Sequence, residues 1–571
     1  MTDASGTTSY TYDSRDRVLT KTTSAGTLTY TYDGFGNQAT VQSATASGVS
    51  VTYGYDALNR LTNVVDRFTN STIYGFDAVG NLQTVQLPNN VTNTYAFDGL
   101  NRLTNLVAKS SGGTVASFAY KLASAGNRTN LIETVSGVSR TNVWIYDPLY
   151  RLTNETLTAS IAGTVSYKYD GVGNRTNRTS SVAGITNQTL VFNSNDQPTN
   201  DVFDANGNTR TNSGNTFAYD VENRMTNAVV SGTNIVIVYD GDGNRVRKIV
   251  GTTTNLYLVD DRNPTGYAQV LEEKTISGGS TNLVRLYTYG LDLISQKDTT
   301  TAFYGYDGNG NTRYLTATNA TVTDTYVYDA FGVVITNTGT TTSYYRYSGE
   351  QYDPNLGFIY LRARYMNPNS GRFLTRDSLL GKTFDPPSLH RYLYCANNPV
   401  NRIDPSGHEF TFTGLLTAIA INATLSAIIT FPIDYAFHRS VNHALKSAGF
   451  SAIIGGALGA FFYSAGAALA AADVATVDAA SATGAIALNE GEVIIGIVKG
   501  GQIIKYSLPN TSHAFLANQA GLLAADGQTL IQGAQAFTLV KEGGEIFVTG
   551  SINFNRSVTQ EAITAVKSAF K

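Results

Sequence analysis

A recurring aromatic–aspartate pair constrains this chain more than any other feature, because it returns about every 21 residues from the start to about residue 340. Before the aspartate, aromatic residues alternate, as at Tyr53 and Tyr55, and a period of two puts both rings on one face of a β-strand. The pattern predicts a long series of antiparallel β-hairpins. The copies are Tyr12-Asp13, Tyr32-Asp33, Tyr55-Asp56, Phe76-Asp77, Phe97-Asp98, Tyr146-Asp147, Tyr169-Asp170, Tyr219-Asp220 and Tyr239-Asp240.

Two forms of the repeat alternate, one ending in Asn59-Arg60-Leu61-Thr62 and the other in Gly173-Asn174-Arg175. In both, the aspartate is suited to open a turn, since its carboxylate can accept backbone N–H groups two residues on. Glycine and asparagine tolerate the positive φ that a tight reversal needs. A lone hairpin is barely stable in water, so we expect the hairpins to stack and continue the aromatic ladder.

Composition excludes two classes of protein. With 15% charged residues and a formal net charge of −3, the chain has no overall basic character, and we expect no nucleic-acid binding by the repeat array. A single cysteine, Cys395, excludes an intrachain disulfide framework and is expected to be a small buried side chain. The N-terminus shows no signal-peptide pattern and enters the repeat without a capping element, which favours a fragment of a longer chain.

A dense motif follows the array between Tyr344 and Gly407. It contains the segments Ser348-Gly349-Glu350-Gln351-Tyr352-Asp353, Tyr360-Leu361-Arg362-Ala363-Arg364-Tyr365, Gly371-Arg372-Phe373-Leu374-Thr375-Arg376-Asp377 and Asp404-Pro405-Ser406-Gly407. The repeats resemble the YD repeats of RHS proteins, teneurins and insecticidal toxin-complex proteins, and Tyr344–Gly407 resembles the RHS repeat-associated core. The resemblance implies a mainly β fold in which the hairpins of 1–343 wind into a spiral, at least partial, shell.

The resemblance also implies a chemistry, because several family members use this core as an intramolecular aspartyl protease. Two carboxylates close together cannot both ionise, so one keeps a proton as acid while the other acts as base. Carried over by position, the pair is Asp377 and Asp404, with Arg372 in support and the cut near Gly407-His408. Ser378 stands where cleaving members commonly place proline. The alternative is that Asp404-Pro405-Ser406-Gly407 is only a turn that closes the shell.

Composition changes abruptly after residue 407. Residues 408–490 are predicted to form an apolar α-helical hairpin through Thr411–Ile433 and Ser447–Ala472, each long enough to span a bilayer. The alternative is a pair of helices buried in protein. Residues 491–571 are predicted to be a small α+β domain, with strands in 493–498, 501–506 and 545–548 and a closing helix at Val558–Phe570.

In the family, this last position is occupied by a variable effector domain, often a toxin. His513 is the candidate catalytic residue there, beside Lys505 and Ser512, and with Glu545 as a further candidate; the alternative for His513 is a turn or helix cap. We therefore expect a secreted or cell-surface protein whose partners include an immunity protein and secretion-system components, with no cofactor and no metal. The competing hypothesis is an adhesive surface protein that binds carbohydrate or neighbouring cells and is anchored to the membrane by its tail.

Overall fold

The computed structural model describes residues 2–381, 386–408 and 410–412, together with six strands that lie between residues 483 and 551. The chain divides into two compact units, Met1–Leu416 and Thr417–Lys571.

The first unit begins with a small two-strand ladder and a long antiparallel sheet in which every strand pairs with the next one along the chain. The ladder consists of β1 (Thr2–Asp3) and β2 (Gly6–Thr7). The sheet consists of β3 (Ser9–Tyr12), β4 (Val18–Thr23), β5 (Gly26–Tyr32), β6 (Gln38–Ser43), β7 (Ser50–Tyr55), β8 (Leu61–Asp66), β9 (Ser71–Phe76), β10 (Leu82–Gln86), β11 (Thr92–Phe97), β12 (Leu103–Ser110), β13 (Gly113–Leu122), β14 (Arg128–Val135), β15 (Val138–Tyr146), β16 (Leu152–Leu157), β17 (Gly163–Tyr169), β18 (Arg175–Ser180) and β19 (Gln188–Thr189).

A second sheet of 14 strands continues the same meander. It consists of β20 (Val202–Phe203), β21 (Thr209–Asn212), β22 (Asn215–Tyr219), β23 (Met225–Val230), β24 (Thr233–Tyr239), β25 (Arg245–Val250), β26 (Thr253–Asp260), β27 (Gln269–Ser277), β28 (Ser280–Tyr289), β29 (Leu293–Lys297), β30 (Thr301–Tyr306), β31 (Thr312–Thr316), β32 (Val322–Tyr328) and β33 (Val334–Thr338). The predicted hairpin array is therefore confirmed.

The core segment adds a four-stranded sheet and a final two-strand ladder. The sheet consists of β34 (Gln351–Asp353), β35 (Phe358–Leu361), β36 (Arg364–Asn367) and β37 (Arg372–Phe373), and the ladder pairs β38 (Arg402–Ile403) with β39 (Thr411–Phe412). Short 3₁₀ helices lie at Ala159–Ile161, Tyr347–Gly349, Pro386–Leu389 and Cys395–Asn397. Cys395 is buried, as predicted.

The repeat aromatics share one face of their strands, which confirms the period-two prediction. Tyr30 and Tyr53 are buried, whereas Thr29 and Thr52, their neighbours along the strand, are exposed. One apolar cluster includes residues from both long sheets and from the core segment. Burial of this face is the main favourable contribution to packing, since it removes large rings from water.

Polar and charged side chains also connect the two long sheets. The Tyr30 hydroxyl donates to Asp260 Oδ1 at 3.0 Å, and the Val49 N–H donates to Glu272 Oε1 at 2.8 Å. Glu133 forms a buried ion pair with Arg313 at 2.7 Å. Each of these buried groups has a partner from the opposite sheet, so the layers are fixed in register as well as packed.

In the second unit, six strands form one antiparallel sheet in the order β42-β41-β40-β45-β44-β43. They are β40 (Thr483–Asn489), β41 (Glu492–Lys499), β42 (Gln502–Pro509), β43 (Thr529–Gln532), β44 (Gln535–Glu542) and β45 (Glu545–Ser551). Strands are present where 493–498, 501–506 and 545–548 were predicted, although β42 begins at Gln502. The sheet starts at Thr483, within the segment 408–490 that was predicted to be helical. Residues 483–489 instead form β40, which pairs with both β41 and β45.

The predicted helical hairpin and the closing helix Val558–Phe570 lie outside the described residues, apart from Thr411 and Phe412, which are in β39. Among the residues that the structure describes, no helix has the length and apolar character needed to cross a bilayer.

Candidate active site

The two predicted aspartates lie together at the end of the core segment, on either side of one arginine. The Arg364 Nη2 atom is 2.7 Å from Asp377 Oδ2 and 3.8 Å from Asp404 Oδ2. All three side chains are largely buried, with 4%, 11% and 3% of their side-chain surface exposed, respectively. The guanidinium thus lies between two carboxylates, in a position to hold them near each other despite their like charge.

The segment Asp404–Gly407 forms a turn around the Asp404 carboxylate. Its Oδ1 atom accepts hydrogen bonds from the Gly407 N–H at 2.9 Å, the His408 N–H at 3.0 Å and the Ser406 hydroxyl at 3.1 Å. After the turn, β39 pairs back with β38. The N–H groups on both sides of the Gly407–His408 bond therefore bind the Asp404 carboxylate, and the chain after the bond is held by the pairing of β39 with β38.

Gly407 is required by close packing as well as by backbone geometry. Its φ is +75°, in the region that favours glycine, and a Cβ atom there would lie 2.2 Å from the Leu361 carbonyl oxygen. The Gly407 carbonyl accepts a hydrogen bond from Arg364 Nε. A positive group on the carbonyl oxygen would stabilise the charge that develops there when the carbon is attacked.

Burial raises the pKa of the Asp404 carboxyl, an effect that Arg364 opposes and the negative charge of Asp377 reinforces. The nearby Glu350 carboxyl is also buried, and its pKa is raised by burial, partly offset by Arg362, whose Nη1 lies 3.0 Å from Glu350 Oε1. Asp404 is thus the carboxyl suited to carry a proton, while Asp377 makes the ion pair with Arg364.

The structure places the predicted Arg372 elsewhere. Its guanidinium stacks on Phe192 and Tyr392, with 4.9 Å from its central carbon to each ring centroid, and donates to Asn174 Oδ1 at 3.3 Å. Sequence reasoning missed Arg364, which contacts both aspartates. It also missed His408, whose Nδ1 atom lies 2.7 Å from Asp377 Oδ1. The only feature of the sequence that could have pointed to His408 is its position next to the predicted cleavage site.

The candidate residues of the tail cannot be assembled into a site. His513 and Ser512 lie outside the described residues. Lys505 lies on β42 and Glu545 on β45, with β41 and β40 between them. Three strand spacings separate their backbones by more than about 14 Å, since the register aligns Lys505 with Thr549 and not with Glu545. This placement separates Glu545 from Lys505.

Stacked aspartate-turn hairpins that lead into a compact core segment are the architecture of YD-repeat shell proteins. The chain belongs to the teneurin YD-shell family, whose model matches residues 89–400, and an RHS repeat is matched at residues 32–72.

Two curated relatives and one solved structure show the extent of the likeness. The tRNA(Glu)-specific nuclease WapA of Bacillus subtilis subsp. natto is 32% identical over 223 residues, which is 37% of this chain and 9% of that protein. The tRNA3(Ser)-specific nuclease WapA of Bacillus spizizenii is 32% identical over 219 residues, 36% of this chain and 9% of that protein. The crystal structure of TcdB2-TccC3 matches with a TM-score of 0.61 at 19% identity, over 71% of this chain and 24% of that one, and supports the fold.

Proposed function

We propose that this chain is a toxin-type shell protein, which cuts itself after Gly407 and thereby separates residues 408–571 as an effector. The observation that supports cleavage most directly is the contact of Arg364 with Asp377, with Asp404 and with the carbonyl of the bond to be cut. A turn that only closed the shell would need one carboxylate to accept its N–H groups, whereas here a second buried carboxylate is joined through Arg364 to the carbonyl of the same peptide bond.

The proposed reaction is hydrolysis of the Gly407–His408 amide. A water oxygen adds to the Gly407 carbonyl carbon, and Arg364 stabilises the negative charge that forms on the carbonyl oxygen. Before the reaction, Asp404 Oδ1 accepts the His408 N–H at 3.0 Å, which keeps the carboxyl group beside the leaving nitrogen. As the nitrogen becomes tetrahedral and the C–N bond breaks, the protonated Asp404 carboxyl gives its proton to the nitrogen lone pair. Asp377, which is paired with Arg364, is the base that takes the proton of the water. The products are a carboxylate on Gly407 and an amine on His408.

The effector role rests on the family and on where the described shell ends. The two WapA relatives are named for different tRNAs, although each matches this chain over about a third of its length. Relatives that share the matched region but are named for different tRNAs are what we expect if a common shell carries tail domains that differ from one protein to the next. We infer that the protein acts outside its cell or at the cell surface in competition between cells, with an immunity protein as the partner that protects the producer.

Self-cleavage can be tested on the purified whole chain by denaturing electrophoresis and intact-mass measurement. The wild type should yield fragments 1–407 and 408–571. Asp404→Asn and Asp377→Asn should each leave one intact chain, because one removes the acid and the other removes the partner of Arg364. Asp66→Asn, which changes a turn carboxylate of the array, is the matched control and should still be cut. Cleavage that persists in both site variants would contradict the assignment.

A further inference from the structure

A pocket of about 180 Å³ lies between the second long sheet and the first strand of the core sheet. Strands β25 to β28 line one side of it, and β34 with the turn that follows lines the other. The strand register places Tyr257 opposite Glu273, and Glu273 opposite Arg285, so that the three side chains form one row across the sheet. Neither Asp377 nor Asp404 lines this pocket, which is therefore separate from the candidate active site.

One carboxylate in the pocket is shared by two cations. Asp353 Oδ2 lies 2.7 Å from Arg245 Nη1 and 2.9 Å from Lys248 Nζ, and at most 7% of each of these side chains is exposed. Burial lowers the pKa of Lys248, an effect that Asp353 opposes and Arg245 reinforces. Among the residues that the structure describes, this side of the pocket thus has an excess of one positive charge, and a buried charge is only weakly screened by salt.

The charges on the other side of the pocket are balanced. Arg285 Nη1 lies 2.6 Å from Glu273 Oε2, and Arg285 Nη2 lies 3.8 Å from Asp298 Oδ2. A ligand with a negative charge is therefore attracted to the β25 side of the pocket, where Arg245 and Lys248 lie, and not to the β28 side.

The polar groups that remain free in the pocket are donors. Its three amide side chains each have an oxygen that already accepts a hydrogen bond, so their N–H groups are left for a ligand. The Tyr257 hydroxyl, on a side chain that is almost fully buried, makes no hydrogen bond with any residue that the structure describes. A ligand that brings acceptor oxygens can use both kinds of donor. The amide contacts are Gln351 Oε1 with Arg245 Nη2 at 2.7 Å, Asn355 Oδ1 with Lys248 Nζ at 3.0 Å and Asn255 Oδ1 with Thr275 Oγ1 at 3.1 Å.

The mouth of the pocket is less polar than its floor. Val284 is 41% exposed there and Pro354 is exposed, while the rings of Tyr344 and Tyr352 are half-buried. Aromatic faces beside an aliphatic rim favour a ligand with a flat apolar group, because such a group can cover the rings while a few polar contacts orient it.

We propose that this pocket binds a small organic carboxylate with a flat apolar body. The carboxylate lies beside Arg245 and Lys248, where it supplies the missing negative charge. It accepts hydrogen bonds from the Tyr257 hydroxyl and the Gln351 amide, and such bonds to a charged acceptor are the stronger kind. The body of the ligand lies at the mouth, against the tyrosine rings. This binding does not depend on the proposed self-cleavage, since the two sites share no residue.

The test measures binding to the purified full chain by ligand-observed NMR and calorimetry, with benzoate as the probe and benzamide as its uncharged counterpart. Benzoate should bind with a dissociation constant on the order of 1 mM, as expected for a ligand of so few atoms. Benzamide should bind about tenfold more weakly or not at all, because it has the same ring but no charge.

Two variants locate the binding site. Tyr257→Phe removes one donor to the carboxylate, and Lys248→Met removes the unbalanced charge, so each should weaken benzoate binding about tenfold or more. Tyr257→Phe also protects the test against misfolding, because the lost hydroxyl has no partner among the described residues. Lys109→Met, at an exposed position of β12, is the matched control and should bind benzoate as the wild type does.

Several results would overturn the proposal. Equal binding of benzoate and benzamide would show that the charge has no role, and unchanged benzoate binding in Tyr257→Phe would place the ligand outside this pocket. Inorganic phosphate that binds as tightly as benzoate and displaces it would mean that the pocket takes an inorganic anion and not an organic carboxylate. A wild-type chain that does not bind benzoate at all would refute the site directly.

Discussion

The aspartate of each repeat uses its two carboxylate oxygens for different contacts. In Asp56, Oδ1 accepts from the N–H groups of Leu58 at 2.9 Å and Arg60 at 3.0 Å, while Oδ2 accepts from Arg60 Nε at 2.7 Å. All of these partners lie within four residues of the aspartate. The sequence therefore predicts the capping of the turn well, because the contacts are local and follow from the chemistry of the side chain.

The tyrosine before the aspartate has a second function that its sequence does not reveal. The hydroxyls of Tyr32, Tyr55 and Tyr328 donate to backbone carbonyls of the preceding hairpin, at 2.9 Å to Val18, 3.0 Å to Gln38 and 2.9 Å to Thr312. The alternating pattern indicates only that the ring is buried. Which backbone carbonyl accepts the hydroxyl depends on the register between neighbouring hairpins, and the repeat sequence does not predict that register.

Glu155 gives a prediction at the scale of one residue. It is buried between the sheets, where it accepts from the Tyr167 hydroxyl at 2.6 Å and from the Ala330 N–H at 3.0 Å. Burial, reinforced by the charge of Asp329, raises the pKa of Glu155 to about 8. The folded chain then holds a proton that the unfolded chain releases near its ordinary pKa of about 4.3. Stability should therefore fall as the pH rises between these values.

Glu155→Gln should remove this part of the pH dependence. One proton corresponds to a slope of about 1.4 kcal/mol per pH unit in the free energy of unfolding, so urea titrations at pH 5 to 8 should show a shallower decline in the variant. Glu222→Gln, at a side chain that is 63% exposed, should leave the slope as in the wild type. Equal slopes in the wild type and Glu155→Gln would show that Glu155 is ionised in the fold throughout this range.

Many of the repeat hairpins also contain a β-bulge beside the aromatic residue that precedes the aspartate, as between Gly54 and Tyr55 and between Ile145 and Tyr146. The threonine of the returning strand bonds a carbonyl at this point: Thr62 donates to the Gly54 oxygen at 3.2 Å, and Thr153 donates to the Ile145 oxygen at 3.0 Å. A bulge leaves ladder groups without their regular partners, and the hydroxyl compensates one of them. This accounts for the threonine in the Arg-Leu-Thr segment.

Successive hairpins are joined by the arginine of one form of the repeat. Arg60 is paired with Asp56 in its own turn, and its guanidinium lies 4.6 Å from the ring centroid of Phe76 in the next hairpin. Arg17 over Tyr32 and Arg151 over Tyr169 repeat the contact. In the other form, an asparagine makes the link, as when Asn37 Nδ2 donates to Asn59 Oδ1 at 2.8 Å. The two forms of the repeat therefore connect neighbouring hairpins differently, one through an arginine stacked on an aromatic ring and the other through a hydrogen bond from an asparagine.

Arg60→Lys should weaken the connection between two hairpins. Lysine keeps the charge but loses the planar group that both pairs with Asp56 and stacks on Phe76, so we expect a loss of about 1 kcal/mol in stability. Hydrogen exchange should become faster in 71–86 before the rest of the array is affected. Arg15→Lys, in an exposed position of another turn, should change neither. Unchanged protection of 71–86 would mean that the stacking contributes nothing to the connection.

For the molecule as a whole, the repeat pattern predicts the hairpin array, and the family resemblance indicates Asp377 and Asp404 but not Arg364. Arg372 was assigned by its position in the family motif. Arg364 reaches the pair because Leu361 pairs with Arg364 across a two-residue turn in which Arg362 has a φ of +57°. That turn directs Arg362 to Glu350 and Arg364 to the aspartates. Which arginine contacts the aspartates depends on how distant segments pack together, and a local sequence pattern does not predict that packing.

The tail provides the last prediction, and it concerns what the whole chain does to a cell. Residues 408–571, produced in a bacterium without a protecting partner, should slow growth in the cytoplasm or when directed to the periplasm. Three observations support this expectation: the composition changes after Gly407, the second unit has a sheet whose strands pair only with one another among the described residues, and the tail follows directly on the proposed cut.

The matched comparison is the whole chain with and without Asp404→Asn, at equal expression. If the shell holds the tail inactive until the bond is cut, Asp404→Asn should be less harmful than the wild type, and the separate tail should be the most harmful of the three. Within the tail, His513→Ala should reduce the effect if the activity is enzymatic, whereas a charge introduced at Ile428 should reduce it if the tail acts on the membrane, because a charge at mid-bilayer costs about 2.5–3.5 kcal/mol. A tail that is harmless in both compartments would favour an adhesive surface protein over an effector carrier.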